Sequence, residues 1–374
     1  MTIEQALQWA TKKLKAAHLA SSALDAEILL AFVLRKPKEY LFTYPEKKLT
    51  RPQRQQAGLR GGRANFQLST FNLLTNRRAR HEPIAYLTGH KEFFGLDFLV
   101  NKNTLIPRPE TEMLVEETLE RIRNYESGIM NIIDVGTGSG AIAIAVAKKI
   151  PPTPFNTGGS KKISPLTKGG RGGIQFYATD YSPLALKLAR QNARRNGVAN
   201  QIKFLRGDLL SPILKSNQLP ATSYPLLITA NLPYLTTAEW KNLAPEMKKY
   251  EPRSALDGGQ DGMKYLNTLF VQLSRIAQNK TEPAIAAPLS LRGVKCSEAE
   301  RNDEAISDAK YPRPRLPRYA PAPLAMTTIL LEIGYRQGQK IKLLARKYLP
   351  EYNVIIKKDL AGFDRLAILS SRRT

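Results

Sequence analysis

Asn131-Ile-Ile-Asp-Val-Gly-Thr-Gly-Ser-Gly-Ala-Ile-Ala-Ile-Ala-Val-Ala-Lys-Lys149 is the stretch on which the fold turns. Its first five residues have the apolar, β-branched character of a buried parallel strand, and the Ala/Ile run after Gly140 reads as a helix. Between them, Gly136, Gly138 and Gly140 permit positive φ and close backbone approach to a ligand. With Thr137 and Ser139 they form a candidate cofactor-binding turn, and the helix N-terminus beyond it offers N–H groups to a carboxylate or phosphate. The spacing D-x-G-x-G-x-G is neither the G-x-G-x-x-G of a dinucleotide fold nor the G-K-[ST] of a P-loop. The expected class is α/β, with a cofactor at the carboxyl edge of a sheet.

The strands that follow strengthen this reading. Gln175-Phe-Tyr-Ala-Thr179 ends in Asp180, about where an acid reaches the ribose hydroxyls of a nucleoside. Ser182 and Pro183 then open a helix that Gly197 stops. A third strand, 201–206, ends at Gly207-Asp208-Leu209-Leu210, where Asp208 can accept from an adenine amino group and Leu209 can pack on the ring. The apolar run Tyr224-Pro-Leu-Leu-Ile-Thr-Ala230 delivers Asn231-Leu-Pro-Tyr234, a rigid turn able to hold a planar amide or amine by hydrogen bonds and stacking. Either Asp alone is as readily a helix cap or turn residue. A glycine turn, an acid, an acid and Asn-Leu-Pro-Tyr in succession match the order of an S-adenosylmethionine-dependent methyltransferase acting on nitrogen.

At this point the chain resembles the release-factor glutamine methyltransferases (HemK/PrmC). Beyond the Gly136 loop, the resemblance is carried by Glu82-Pro-Ile-Ala-Tyr-Leu-Thr-Gly89, Phe93-Phe-Gly-Leu-Asp-Phe98, Leu105-Ile-Pro-Arg-Pro-Glu-Thr-Glu112, Tyr250-Glu-Pro-Arg-Ser-Ala-Leu-Asp-Gly-Gly259 and Asp359-Leu-Ala-Gly-Phe-Asp-Arg365. It implies a class I methyltransferase (Rossmann-like) domain with a seven-stranded mixed sheet, preceded by a small helical domain that docks the substrate protein. S-adenosyl-L-methionine is the implied cofactor, bound by Gly136, Thr137, Gly138, Ser139, Gly140, Asp180, Asp208, Leu209 and Asn231. The implied substrate is the Gln of the Gly-Gly-Gln tripeptide of class 1 peptide chain release factors. Arg108, Pro109 and Glu110 join Asn231, Leu232, Pro233 and Tyr234 as implied substrate contacts.

In the mechanism of the resembled family, the Asn231 side-chain oxygen and the Leu232 backbone carbonyl accept the two N–H groups of the target amide. Tyr234 walls the target side chain, and the acceptor dipoles favour the positive charge that develops on nitrogen. The family usually has Pro where this chain has Leu232. Leucine supplies the same carbonyl, and Pro233 keeps the preceding residue extended, so activity is expected to survive. No strong general base is needed, which fits a chain with three His, at positions 18, 81 and 90.

Length and composition agree with an enzyme of two domains. The chain has 374 residues, 42% of them hydrophobic, and its one cysteine, Cys296, excludes an internal disulfide and a Cys-based zinc site. No metal is expected. The N-terminus lacks a basic region followed by an apolar core, and no apolar run reaches membrane-spanning length, so a cytoplasmic monomer is expected. The expected division is a helical domain over 1–90, a β-hairpin linker over 91–104 and a methyltransferase domain over 105–374. Thr2 caps the first helix, and Ser22 opens the second. Residues 1–80 hold 15 Lys+Arg against 5 Asp+Glu, a balance of +10 that reads first as a solvated basic face.

Three stretches, 59–76, 151–173 and 281–324, fit neither the family nor a packed core. Their Gly, Pro and Lys/Arg content predicts mobile surface insertions, and the first is expected to interrupt a helix. They raise the net charge of +25, which therefore argues for no nucleic acid. The last strands are expected over 353–358 and 365–370, with a frayed end over 370–374. Two rival functions remain open: the same chemistry on a ribosomal-protein glutamine or a nucleic-acid adenine, and a catalytically inactive ribosome- or RNA-binding protein.

Overall fold

The computed structural model describes residues 1–49, 67–124, 130–150, 174–215, 226–278 and 327–371. The expected insertions at 151–173 and 281–324, Cys296 and residues 59–66 lie outside them.

The helical N-terminal part comprises α1 (Ile3–Ala16), α2 (Ser22–Leu34), α3 (Glu39–Thr43), α4 (Gln67–Arg78) and α5 (Ile84–Thr88). Thr2 closes a capping box with Gln5 at the start of α1, while Ile3, Ala6, Ala10 and Leu14 face its core. At α2 the cap position falls on Ser21, and Ser22 instead donates from its hydroxyl to the Leu19 carbonyl. Residues 67–76, expected within an interruption, form most of α4. Phe71, Leu74, Thr75 and Arg78 fall on one buried face, so helical periodicity in that half outweighs the Gly/Arg content of the half before it. Arg78 is buried and pairs with Asp25 of α2 at 2.6 Å. Its other arm reaches Glu246 at 2.7 Å, tying this domain to the next.

A hairpin, β1 (His90–Phe93) and β2 (Leu96–Leu99), links the two parts. Then follow α6 (Glu112–Arg123), β3 (Met130–Val135), α7 (Ala141–Lys149), β4 (Ile174–Asp180), α8 (Pro183–Arg195), β5 (Ile202–Arg206), α9 (Ser211–Lys215) and β6 (Leu226–Asn231). After these come α10 (Thr237–Lys241), α11 (Pro245–Tyr250), α12 (Lys264–Gln278), β7 (Thr327–Glu332), α13 (Gly338–Tyr348), β8 (Tyr352–Lys358) and β9 (Asp364–Ser371).

Strands β3 to β9 form the expected seven-stranded mixed sheet, in the order β5-β4-β3-β6-β7-β9-β8. The first five in this order run parallel, and β9 is antiparallel to both β7 and β8. Ser370 and Ser371, expected to fray, belong to β9, where Ser370 pairs with Thr328 and Ser371 with Tyr352. Every residue of β3 is buried, Asn131 and Asp134 included, as expected of a strand covered on both faces. Alternate residues feed two cores. Ile132, Leu330 and Ile368 meet α6 and α7 on one face, while Ile133, Ile329 and Leu369 meet α12 and α13 on the other. From α12, Leu266, Leu269, Phe270 and Leu273 are buried at helical spacing, each worth about 1.5–3 kcal/mol relative to exposure. Among the described residues, no helix is long and apolar enough to cross a membrane.

The chain winds outward from β3 through β4 to β5, then returns to the other side of β3 as β6. This reversal opens a crevice at the carboxyl ends of β3 and β6, where open α/β sheets bind their ligands.

Candidate active site

A cavity of about 290 Å³ occupies that crevice. Of the residues singled out in the sequence, Gly136, Thr137, Gly138, Ser139, Asp180, Asp208, Leu209, Asn231, Leu232, Pro233 and Arg108 line it. Gly140, Tyr234, Pro109 and Glu110 do not.

The glycine loop is held from behind by its own backbone. Gly136 and Thr137 both donate to the Thr179 carbonyl at 2.9 Å, and Gly138 donates to the Asp180 carboxylate at 2.9 Å. These three N–H groups therefore brace the loop within the protein. Gly140 has φ +85°, and a Cβ there would stand 2.7 Å from Ile144 Cδ1 and 3.2 Å from Ala189 Cβ. Expected to touch a cofactor, it instead lets α7 pack closely on α8. Asp134 anchors the whole turn. Its carboxylate accepts from the Thr137 hydroxyl at 2.6 Å, from the Thr229 hydroxyl at 3.2 Å and from the Ala143 N–H. Burial pushes this group up to about 6, against the pull of those donors.

Asp180 is a turn residue that also lines the cavity. One oxygen accepts from Ser182 N at 2.8 Å and the other from Gly138 N, so it caps the turn while facing the cavity. Burial raises its pKa, and those two N–H donors oppose the rise. Leu209 adopts φ +48°, a strained conformation for a leucine, and its side chain is nearly buried at the cavity wall beside Asp208.

Asn231 ends β6 with its amide orientation determined. Its Nδ2 donates to Thr111 Oγ1 at 3.0 Å and to Glu332 Oε2 at 2.9 Å, which engages both N–H groups. The Oδ1 atom is left as the polar end of a side chain that lines the cavity. Glu332 reaches Asn231 because β6 and β7 are in register at exactly this pair. It is the one acid of the apolar run 327–333, a signal in the sequence that was open to use. Desolvation pushes Glu332 up to about 7, with Thr111, Arg365 and Asn231 working against it.

Leu232 is buried, and a Cβ on Gly136 would stand 3.0 Å from its Cδ2. The positive φ of Gly136, +72°, and its missing side chain make room for the leucine. Tyr234, expected to wall the target side chain, is not among the residues that line the cavity. Its hydroxyl lies 3.5 Å from Arg365, and burial pushes that hydroxyl up to about 12, so it stays protonated. Its carbonyl accepts from Gln337 Nε2 at 3.1 Å.

The 250–259 motif and a glycine just beyond it act through residues to which the sequence assigned no role. Glu251 is buried, accepts from Ile106 N at 3.1 Å and pairs with Arg108, and so clamps the 105–109 segment at the cavity rim. Gly258 and Gly262 support the Asn-Leu-Pro-Tyr turn from beneath: a Cβ on the first would stand 2.6 Å from the Pro233 carbonyl oxygen, and on the second 2.3 Å from that of Tyr234. Gly258 N also donates to the Leu235 carbonyl at 2.7 Å. No cluster of three or more potential metal ligands occurs among the described residues.

The cavity suits an adenosine-bearing cofactor on its donor set alone. Two acids follow successive strands, Leu209 and Ile142 add apolar wall, and the buried Thr104 hydroxyl, at the cavity lining, has no partner within the protein.

Comparison with known proteins follows the same division. The PrmC N-terminal domain family matches residues 5–58, and a methyltransferase domain family matches residues 126–252. The release factor glutamine methyltransferase of Moorella thermoacetica is 34% identical over 373 residues, covering 100% of this chain and 99% of its own. Proteins of the same name from Nitratidesulfovibrio vulgaris (34% identical, 74% of this chain and 78% of the relative) and Vibrio cholerae (29%, 98% and 96%) also align. With a glycine turn and an Asn-Leu-Pro-Tyr turn meeting in one crevice, and a relative this similar from end to end, the chain belongs to the release factor glutamine methyltransferase family.

Proposed function

We propose that the protein methylates the side-chain amide nitrogen, N5, of the glutamine in the Gly-Gly-Gln motif of class 1 peptide chain release factors. The observation that carries this reading is the Asn231 amide, whose nitrogen is engaged by Thr111 and Glu332. A carboxamide group held in this way has only its oxygen to offer, and an oxygen acceptor is what an N–H of a target amide needs.

Bound S-adenosylmethionine would supply an electrophilic methyl group. Asp180 and Asp208 would hold its hydroxyl and amino groups, Leu209 its ring, and the glycine loop the remainder, as the lining of the cavity supports. Asn231 Oδ1 and the Leu232 carbonyl would take the two N–H groups of the target and hold its nitrogen in one orientation. As positive charge develops on that nitrogen, these acceptor dipoles favour it. The methylated nitrogen is acidic and releases a proton to water. Residues 1–90 would dock the release factor, and the protein would work as a monomer in the cytoplasm.

Mass spectrometry of a purified release factor incubated with the protein and S-adenosylmethionine tests the reading. One added methyl group on the Gly-Gly-Gln peptide is the expected result; methylation confined to adenine in added DNA, or to a ribosomal protein, would overturn it.

The loop anchor gives a milder prediction. An asparagine at 134 keeps one acceptor oxygen and offers an NH2 to a threonine hydroxyl in place of the other, so Asp134→Asn exchanges charge-assisted hydrogen bonds for neutral ones. A net loss of about 1 kcal/mol corresponds to roughly fivefold weaker cofactor binding. Equilibrium titration with S-adenosylmethionine measures it, and unchanged affinity would show that the anchor does not shape the cofactor loop.

A further inference from the structure

An asparagine side chain has nearly the same shape whichever way its amide faces, so sterics do not decide which end Asn231 presents to the cavity. Its hydrogen-bond partners must decide. Thr111 follows Glu332: its one hydroxyl proton goes to the Glu332 carboxylate, which leaves it only an acceptor for Nδ2. Glu332 does discriminate: an ionised carboxylate only accepts, and Oδ1 placed 2.9 Å from Oε2 would set two acceptors against each other.

We propose that Glu332 is the positioning residue of the site, its ionised carboxylate fixing the Asn231 amide with oxygen toward the cavity and its protonation freeing that amide to turn over. This rests on the reading of the protein as an amide methyltransferase. A protonated Glu332 carries an O–H that donates to Oδ1, and the Thr111 hydroxyl, released from the carboxylate, donates there too, so the reversed amide becomes the favoured one. A reversed Asn231 presents N–H groups to the target, repelling its N–H and attracting its carbonyl. The wrong atom of the glutamine then occupies the place where its nitrogen should react.

The surroundings set where this change occurs. Asn231 from the end of β6, Thr111 and Glu110 from the turn before α6, Tyr234 from the Asn-Leu-Pro-Tyr turn, and Arg365 from β9 all face Glu332. Desolvation and the Glu110 charge oppose ionisation, while Arg365, itself paired with Asp359 at 3.0 Å, favours it. The balance lies at about 7, within the range of ordinary assays.

The test is kcat against pH for the full-length wild type, Glu332→Gln and Arg365→Gln with release factor and S-adenosylmethionine. Wild type is expected to lose about tenfold in kcat per pH unit on the acid side, with KM for S-adenosylmethionine unchanged. Glu332→Gln keeps the shape but lacks the charge; its expected result is a loss of about 10²-fold at the wild-type plateau and no acid limb. Arg365→Gln should move the acid limb to higher pH, which keeps the idea testable if the Glu332 variant fails to fold. An acid limb retained in Glu332→Gln, or unmoved in Arg365→Gln, would overturn the role. An activity-free readout separates this from the methylation reading itself: without substrate, the ¹⁵N and ¹H resonances of the Asn231 side-chain amide should titrate in wild type and remain fixed in Glu332→Gln. Flat wild-type resonances overturn the positioning role, whereas titrating resonances in a protein that methylates no release factor at any pH overturn only the amide-methylation reading.

Discussion

Replacing Asn231 by alanine is expected to lower kcat on a release factor by about 10³-fold, the upper end of what a single preorganised polar contact to a transition state contributes. The loss has two parts. Alanine removes the side-chain acceptor for the target N–H, and it leaves Glu332 and Thr111 without the amide that engages both of them. Asn231→Asp would fare little better despite its matching shape. It places a second carboxylate against Glu332 at the site of a 2.9 Å contact, and like charges that close cannot both ionise. Cofactor affinity in Asn231→Ala is expected to stay within a few-fold of wild type, because Asp180, Asp208 and the glycine loop still line the cavity. Calorimetric titration beside a methyl-transfer assay checks both halves. Activity above a tenth of wild type, or a collapse of cofactor affinity that accounts for the lost rate, would remove Asn231 from the role assigned to it.

Gly262→Ala should be among the most destabilising single-methyl changes in the chain. Gly262 has φ +72°, and its new Cβ would lie 2.3 Å from the Tyr234 carbonyl oxygen and 3.0 Å from Gln337 Nε2. The left-handed backbone costs about 1–2 kcal/mol for a residue with a Cβ. Forcing the turn and its brace apart adds about 1–3 kcal/mol. A total of about 4 kcal/mol follows, a large share of the stability of a typical domain. Gly362→Ala provides the control, since that glycine has φ +81° and nothing within 4 Å of its Cβ position. Urea unfolding of the two variants separates conformation from contact. Equal midpoints would mean that the turn yields and that Gly262 is there only for its φ.

These two sites differ in how far the sequence reveals them. Asn231 stands at the end of an apolar run, four strand ends into an ordered series, and its chemistry can be read locally. Gly262 lies in a segment whose partners are the backbone atoms of another turn, and a glycine that makes room for a distant carbonyl looks like any loop glycine. Glu332 and Thr111 were missed for the same reason. They meet Asn231 across 101 and 120 residues of chain, through strand register and the turn before α6; the sequence marks Glu332 as the lone acid of its run but not the partner it meets. The sheet was readable because parallel strands buried on both faces are rich in apolar, β-branched residues, as Ile132, Ile133 and Val135 make β3. Gly140 shows the opposite error: its spacing matches that of a ligand-binding glycine, but its missing side chain serves the packing of two helices. In α4, the Gly and Arg residues before it hid a helical face that begins at Gln67.

Of the five parallel strands, β3, β4, β6 and β7 each carry part of the site at their carboxyl end: the Gly136 loop, Asp180, Asn231 and Glu332. Six residues of extended chain, as in β3 and β6, put the opposite rim about 20 Å away. A substitution at the amino ends of these strands therefore reaches the chemistry only through the hydrogen-bonded ladder, whereas one at the carboxyl ends meets it directly.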